Sequence, residues 1–106
     1  MAKSEQTIQS EIRLELSKHA IVFRVNVGKW KLEDGRWVTT GVPVGFSDLF
    51  GFRLSDGKAF FIEVKKPGGV IRPEQKVFIT AMQNSGALAG IARSVEEALK
   101  IINKNA

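Results

Sequence analysis

The run Ala59-Phe60-Phe61-Ile62-Glu63-Val64-Lys65 limits the fold more than any other part of the sequence. Side chains alternate from one side of a strand to the other, so its apolar residues fall on both faces. A strand of that kind needs cover on both faces, which suits an interior position in a sheet with helices packed on it. The same strand carries Glu63 and Lys65, which share one face, while Ile62 and Val64 share the other. Burying a carboxylate and an ammonium in a core strand costs several kcal/mol unless something compensates, so this face is the first place to look for chemistry.

The flanking sequence supplies the other elements. From Ser4 to about Lys18, Ile8, Ile12 and Leu16 recur at every fourth position and make one apolar helical stripe, with Ser4 as N-cap. Ala20 to Lys31 and Arg36 to Val42 read as strands joined at Asp34-Gly35, a pair suited to a tight hairpin turn. Leu49 to Leu54 and Ala59 to Lys65 form a second hairpin around Asp56-Gly57. A helix is expected from Pro73 to Asn84, closed by Gly86, then a strand from Leu88 to Arg93 and a helix from Ser94 to about Asn103. The order α-β-β-β-β-α-β-α predicts a single α/β domain over 1–106, a mixed β-sheet flanked by helices.

Composition narrows the chemistry. With no cysteine, thiolate metal sites, disulfides and cysteine nucleophiles are excluded, and a single histidine, His19, cannot make a two-histidine metal site. His19 reads as a helix-end residue favoured by the dipole. A net charge of +5 favours a polyanionic partner. No apolar run approaches the ~18 residues of a membrane span, and the first residues lack the apolar stretch of a secretory signal, so a cytosolic protein is expected.

If Asp56 and Gly57 are the two turn residues, Asp48 lies opposite Lys65, Phe50 lies opposite Glu63, and Asp48 shares the face of the charged pair. Opposed residues sit ~5 Å apart and diagonal ones ~7 to 8 Å, so Asp48 and Glu63 can share one cation. Two carboxylates, a backbone carbonyl and water suit Mg²⁺. Lys65 beside such a cation can orient or help deprotonate an attacking water. Gln75 lies on the stripe with Phe78, Ile79 and Met82 and faces the sheet. On the first helix Glu5 projects within about 20° of the apolar stripe and Glu11 about 100° away; Glu5 is the better inward acid, with Gln9 beside it.

Asp48, then Glu63-Val64-Lys65, then Gln75 in a following helix resembles the PD-(D/E)XK nuclease superfamily, and more closely its virus-type replication-repair nuclease domain, VRR-NUC. The similarity extends through Glu5-x-x-Ile8-Gln9, Phe23-Arg24-x-Asn26-x-Gly28, Gly45-x-x-Asp48-Leu49-x-Gly51 and Gly86. One departure is Ser47, which stands where the superfamily has a proline before the first aspartate. The resemblance implies a restriction-endonuclease-like core and a Mg²⁺- or Mn²⁺-dependent phosphodiesterase. In it Asp48, Glu63 and the Val64 carbonyl bind metal, Lys65 assists the water, and Glu5 and Gln75 complete the pocket. It further implies a phage-borne homodimer acting on branched DNA such as Holliday junctions.

Arg24, Lys66 and Arg72 are candidates for phosphate contacts, whereas Lys29 and Lys31 read as a solvated strand face. By the same turn arithmetic Trp30, Leu32 and Trp37 fall on one face, a core cluster or dimer contact in preference to a base-stacking platform. The alternative to a nuclease is a non-catalytic nucleic-acid-binding module in which the carboxylates and Lys65 form a structural cluster.

Overall fold

The computed structural model describes residues 2–26, 28–39 and 41–104. In chain order the elements are α1 (Glu5–Leu16), β1 (Ala20–Arg24), β2 (Lys29–Lys31), β3 (Trp37–Thr39), β4 (Leu49–Arg53), β5 (Ala59–Val64), α2 (Pro73–Asn84), β6 (Leu88–Ala92) and α3 (Val95–Ile102). Four strands form a mixed sheet in the order β1-β4-β5-β6, antiparallel except for the parallel β5–β6 pair. The fold class is the one expected, with one more strand before α2 than the sequence suggests. What reads as one strand from Ala20 to Lys31 is two, because the chain leaves the sheet after Arg24 and turns at Gly28, whose φ of 154° suits glycine. Residue 27 lies outside the described residues. Strands β2 and β3 make a separate two-stranded hairpin.

Cap chemistry explains the helix boundaries. The Ser4 side chain accepts the Thr7 N–H and the Ser94 side chain accepts the Glu97 N–H, each satisfying an orphan donor of a first turn. Pro73 takes the first position of α2, where no N–H is needed. Helices α1 and α3 pack together on one face of the sheet, burying Ile8, Ile12, Leu16, Ala98 and Ile102 against Leu49, Phe60, Ile62, Val64 and Ala92. Each large side chain so buried contributes about 1.5–3 kcal/mol. Helix α2 covers the other face over β5 and β6, where Phe78 meets Phe46 and Phe61. Phe60, Ile62 and Val64 thus point into one layer, and Phe61 and Glu63 into the other.

Two registers differ from expectation. In the β4–β5 hairpin Leu49 pairs with Ile62 and Phe50 with Phe61, a shift of two residues that sets Asp48 across from Glu63 instead of Lys65. The Asp56 carboxylate accepts from the Arg53 guanidinium and from the Lys58 N–H, while the Gly57 N–H donates to the Arg53 carbonyl. These bonds hold a four-residue loop, Leu54 to Gly57, closed by the Arg53–Lys58 pair. An even shift leaves every side chain on its expected face. The β2–β3 hairpin differs by one residue and therefore does not: Lys31 pairs with Trp37 and Trp30 with Val38, so the two tryptophans lie on opposite faces. Both are at least half exposed, which removes the core-cluster reading.

Gly51 pairs with Val22 of β1 where there is no room for a side chain. A Cβ there would collide with the Ile21 carbonyl oxygen and the Phe60 ring. At Gly45, φ is 89° and a Cβ would run into the Glu74 carbonyl, so this glycine lets the 41–48 loop lie against the start of α2. Among the described residues no helix is long and apolar enough to cross a membrane.

Candidate active site

Beyond the Leu49–Ile62 pair the β4–β5 ladder ends, and a side chain takes over from the main chain. Asp48 Oδ2 accepts the Val64 N–H at 2.9 Å, while the Asp48 carbonyl accepts the Val25 N–H at 2.8 Å. Ser47, at the position of the superfamily's proline, is fully buried and donates its hydroxyl to the Leu49 carbonyl at 2.8 Å, which fixes the turn into β4. The carboxylate of Asp48 is thereby anchored by one oxygen to the strand that carries Glu63.

Glu63 is 2% exposed. Its Oε2 accepts from Gln75 Nε2 at 2.9 Å and lies 3.7 Å from Lys65 Nζ; its Oε1 is buried with no hydrogen-bond partner. Gln75 Oε1 accepts the Arg72 N–H at 2.9 Å, so both ends of that carboxamide are committed and its orientation is fixed by the first turn of α2. Burial, with the neighbouring Asp48 charge adding to it, pushes the Glu63 carboxyl up to about 8; Lys65 pulls in the opposite direction without cancelling this. A buried carboxylate with an unused oxygen beside a second carboxylate is a site short of positive charge.

These groups open into a cleft of about 270 Å³ lined by Asp48, Glu63 and Gln75, with Arg24, Asn26, Arg72, Glu74 and Gln9 around them and the Val44–Phe46 segment as one wall. Of the sequence-predicted residues, Asp48, Glu63, Gln75, Arg24 and Arg72 converge on it. Lys65 is buried against Glu63, and Val64 enters through its backbone. Glu5 does not line the cleft: it is half-buried at the first position of α1, and the residue this helix adds to the wall is Gln9, one turn further on. Glu11 is turned away, paired with Lys3. Lys66 also stands outside the lining, its carbonyl accepting from Arg93. Glu74 is the one carboxylate in the wall that sequence reasoning missed; its place beside Gln75 after Pro73 was the available signal.

A larger depression, about 640 Å³, lies between the α2–β6 turn and α3, but its only titratable groups are Lys100 and Lys104. Size therefore does not single out the candidate site here; the convergence of opposed charges does. Among the described residues no three histidine, cysteine or carboxylate side chains cluster for a metal. The donors at the cleft that suit a hard divalent cation are fewer: Asp48 and the unpartnered Glu63 Oε1, with water.

The profile of the VRR-NUC domain matches residues 3–96. The chain belongs to the VRR-NUC family. A solved structure described as "VRR_NUC domain protein" superposes with a TM-score of 0.66 at 15% identity, covering 96% of this chain and 87% of the other, a likeness of fold. Among curated proteins none matches. The mixed sheet with helices on both faces is the restriction-endonuclease-like fold of a VRR-NUC domain. Membership assigns a nuclease-type function with DNA as substrate.

Proposed function

We propose that this VRR-NUC domain is a Mg²⁺- or Mn²⁺-dependent DNA endonuclease that acts as a homodimer on branched DNA such as Holliday junctions. The observation that carries the metal dependence is Glu63 Oε1, buried and unpartnered next to Asp48. Asp48, Glu63 and the Val64 carbonyl would hold the cation, which would lower the pKa of water and offset charge on the phosphate.

The chain's own residues do the rest. Gln75 holds Glu63 in place through its fixed carboxamide. Lys65, next to Glu63, orients the attacking water and stabilises the charge that builds on the phosphate. Arg24 and Arg72, at the cleft wall, position the flanking phosphates. The oxygen of water bonds to phosphorus as that water gives up a proton to solvent, the P–O bond to the leaving nucleotide breaks, and the departing oxygen takes up a proton in its place, so that one water is divided between the two products.

The sequence resemblance supports the branched substrate and the dimer. A radius of gyration of 14.5 Å supports the dimer further, since one small domain reaches one strand and symmetric cutting of two calls for two copies. The test is incubation with labelled four-way junction, duplex and single-stranded DNA in Mg²⁺, Mn²⁺ or chelator, alongside Glu63→Gln. Metal-dependent cuts that the variant lacks are expected, with paired symmetric nicks on the junction. Binding without cleavage in either metal moves the assignment to a non-catalytic module. Light scattering that finds a monomer at micromolar concentration, with and without DNA, ends the dimer.

A further inference from the structure

The β2–β3 hairpin is unused by the chemistry above, and its composition is unusual for a solvated arm. Neither of its strands packs extensively on another element, and every residue of β2 is exposed. The register places Lys29, Lys31, Trp37 and Thr39 on one face. Lys29 Nζ lies 5.3 Å from the centroid of the Trp37 ring, a cation–π contact, yet the Trp37 residue remains 61% exposed. An indole held in place by a cation and left open to water presents a free face for stacking.

The arm's location gives the occupant. Arg24, Val25 and Asn26, which lead into the hairpin, and Val44, Gly45 and Phe46, which follow it, all line the carboxylate cleft. Lys31, opposite Trp37, is five residues from Asn26, so at ~3.3 Å per residue Lys31 stands within about 17 Å of the cleft rim and Trp37, ~5 Å across the pair, within about 22 Å. Cations and an aromatic face side by side, at the mouth of a site that takes DNA, match the two surfaces of an unstacked nucleotide: its phosphate and its base.

We propose that the β2–β3 hairpin is a substrate arm, on which Trp37 stacks an unpaired base while Lys29 and Lys31 meet the adjoining phosphates, making the arm a source of preference for branched or single-stranded DNA over continuous duplex. A paired base inside a duplex offers the indole no free face, whereas a branch point or fork does. The inference rests on the reading of the cleft as a DNA site. It does not require that the cleft cut.

The test is made in chelator, where cleavage is silent. In a Trp30→Phe background Trp37 is the sole tryptophan, and its fluorescence is followed on titration with single-stranded, forked, four-way and blunt duplex DNA. Quenching by the first three and little by the duplex is expected. Trp37→Ala should weaken binding of single-stranded and forked DNA about tenfold and that of blunt duplex less than twofold, with Trp37→Phe restoring most of the loss. Lys29→Ala with Lys31→Ala should weaken all four and reduce the logarithmic salt slope by about two on duplex.

Equal affinities for wild type and Trp37→Ala on forked DNA overturn the arm, as does the absence of binding to any DNA. Trp37→Ala that dissociates a dimer at unchanged DNA affinity overturns it in favour of a subunit contact. Quenching and tenfold weakening without cleavage in Mg²⁺ or Mn²⁺ sustain the arm and refute the nuclease; metal-dependent cleavage indifferent to Trp37 does the reverse.

Discussion

Replacing Glu63 with glutamine should stabilise the metal-free protein in alkaline solution. A carboxyl that ordinarily titrates near 4.5 is held up to about 8 in the folded chain, first by burial and then by the Asp48 charge. At about 1.36 kcal/mol per unit the ceiling on this effect is about 5 kcal/mol. Solvent in the cleft screens the carboxylate, and about 2 kcal/mol is the expected share. Because the folded form keeps a proton that the unfolded chain releases, the favourable contribution is complete below about 4.5 and disappears as pH rises through 8. Asp56 works in the other direction and elsewhere: Arg53 and the Lys58 N–H hold it down to about 2, so its contribution is lost only as strong acid is reached. Glutamine at position 63 can still accept from Gln75 and carries no charge. Urea unfolding in chelator at pH 5 and pH 9 should therefore show wild type and Glu63→Gln alike at pH 5. At pH 9 the variant's midpoint should be higher by about 1 to 2 M. Added Mg²⁺ should raise the wild-type midpoint at pH 9 and leave the variant almost unmoved. A gap between the two proteins that is the same at both pH values would refute the argument.

Four further outcomes are expected. Asp48→Asn should abolish cleavage while leaving DNA affinity equal or improved, because a repulsive charge has been removed; filter binding and gel cleavage on one preparation check both. Lys65→Ala should lower the single-turnover cleavage rate ~100-fold or more with little change in junction affinity. Gln75→Leu strips partners from both Glu63 Oε2 and the Arg72 N–H and should cost about 2 kcal/mol in urea unfolding, with Mn²⁺ affinity measured by calorimetry falling as Glu63 loses its orientation. Gly51→Ala forces a methyl against the Ile21 carbonyl and the Phe60 ring and should cost about 3 kcal/mol or more, visible as a lowered melting temperature.

The helices were legible because their ends carry chemistry that acts locally: Ser4 and Ser94 as caps, and Pro73 at a first turn. The shared face of Asp48 and Glu63 was legible too, since strand alternation survives a shift of two residues. The register itself was not, because Asp56 spends its side chain on Arg53 and Lys58 and so holds a wider loop than an Asp-Gly pair suggests. The same kind of error by a single residue separated Trp30 from Trp37. The break after Arg24 escaped notice because Val25 and Asn26 continue a strand-like run, and what ends the strand is the departure of the chain toward the cleft. Glu5 was chosen over Glu11 on a helical wheel, with Gln9 beside it; a wheel says which side of α1 faces inward but not which turn of it reaches the cleft, and the turn that does carries Gln9.

The loop from Leu54 to Gly57 sits at the far end of its hairpin, beginning six residues or about 20 Å along β4 from Asp48. It nevertheless sets which residue stands across from Glu63. Leu54 and Ser55 can be exchanged as long as the loop keeps its length and Asp56 its bonds to Arg53 and Lys58. Loss or gain of one residue there would turn Asp48 toward the α1–α3 layer and empty the site without touching any residue in it. Length variation among natural and engineered homologues should accordingly be scarce at this turn and common in the β2–β3 loop, whose register governs no carboxylate.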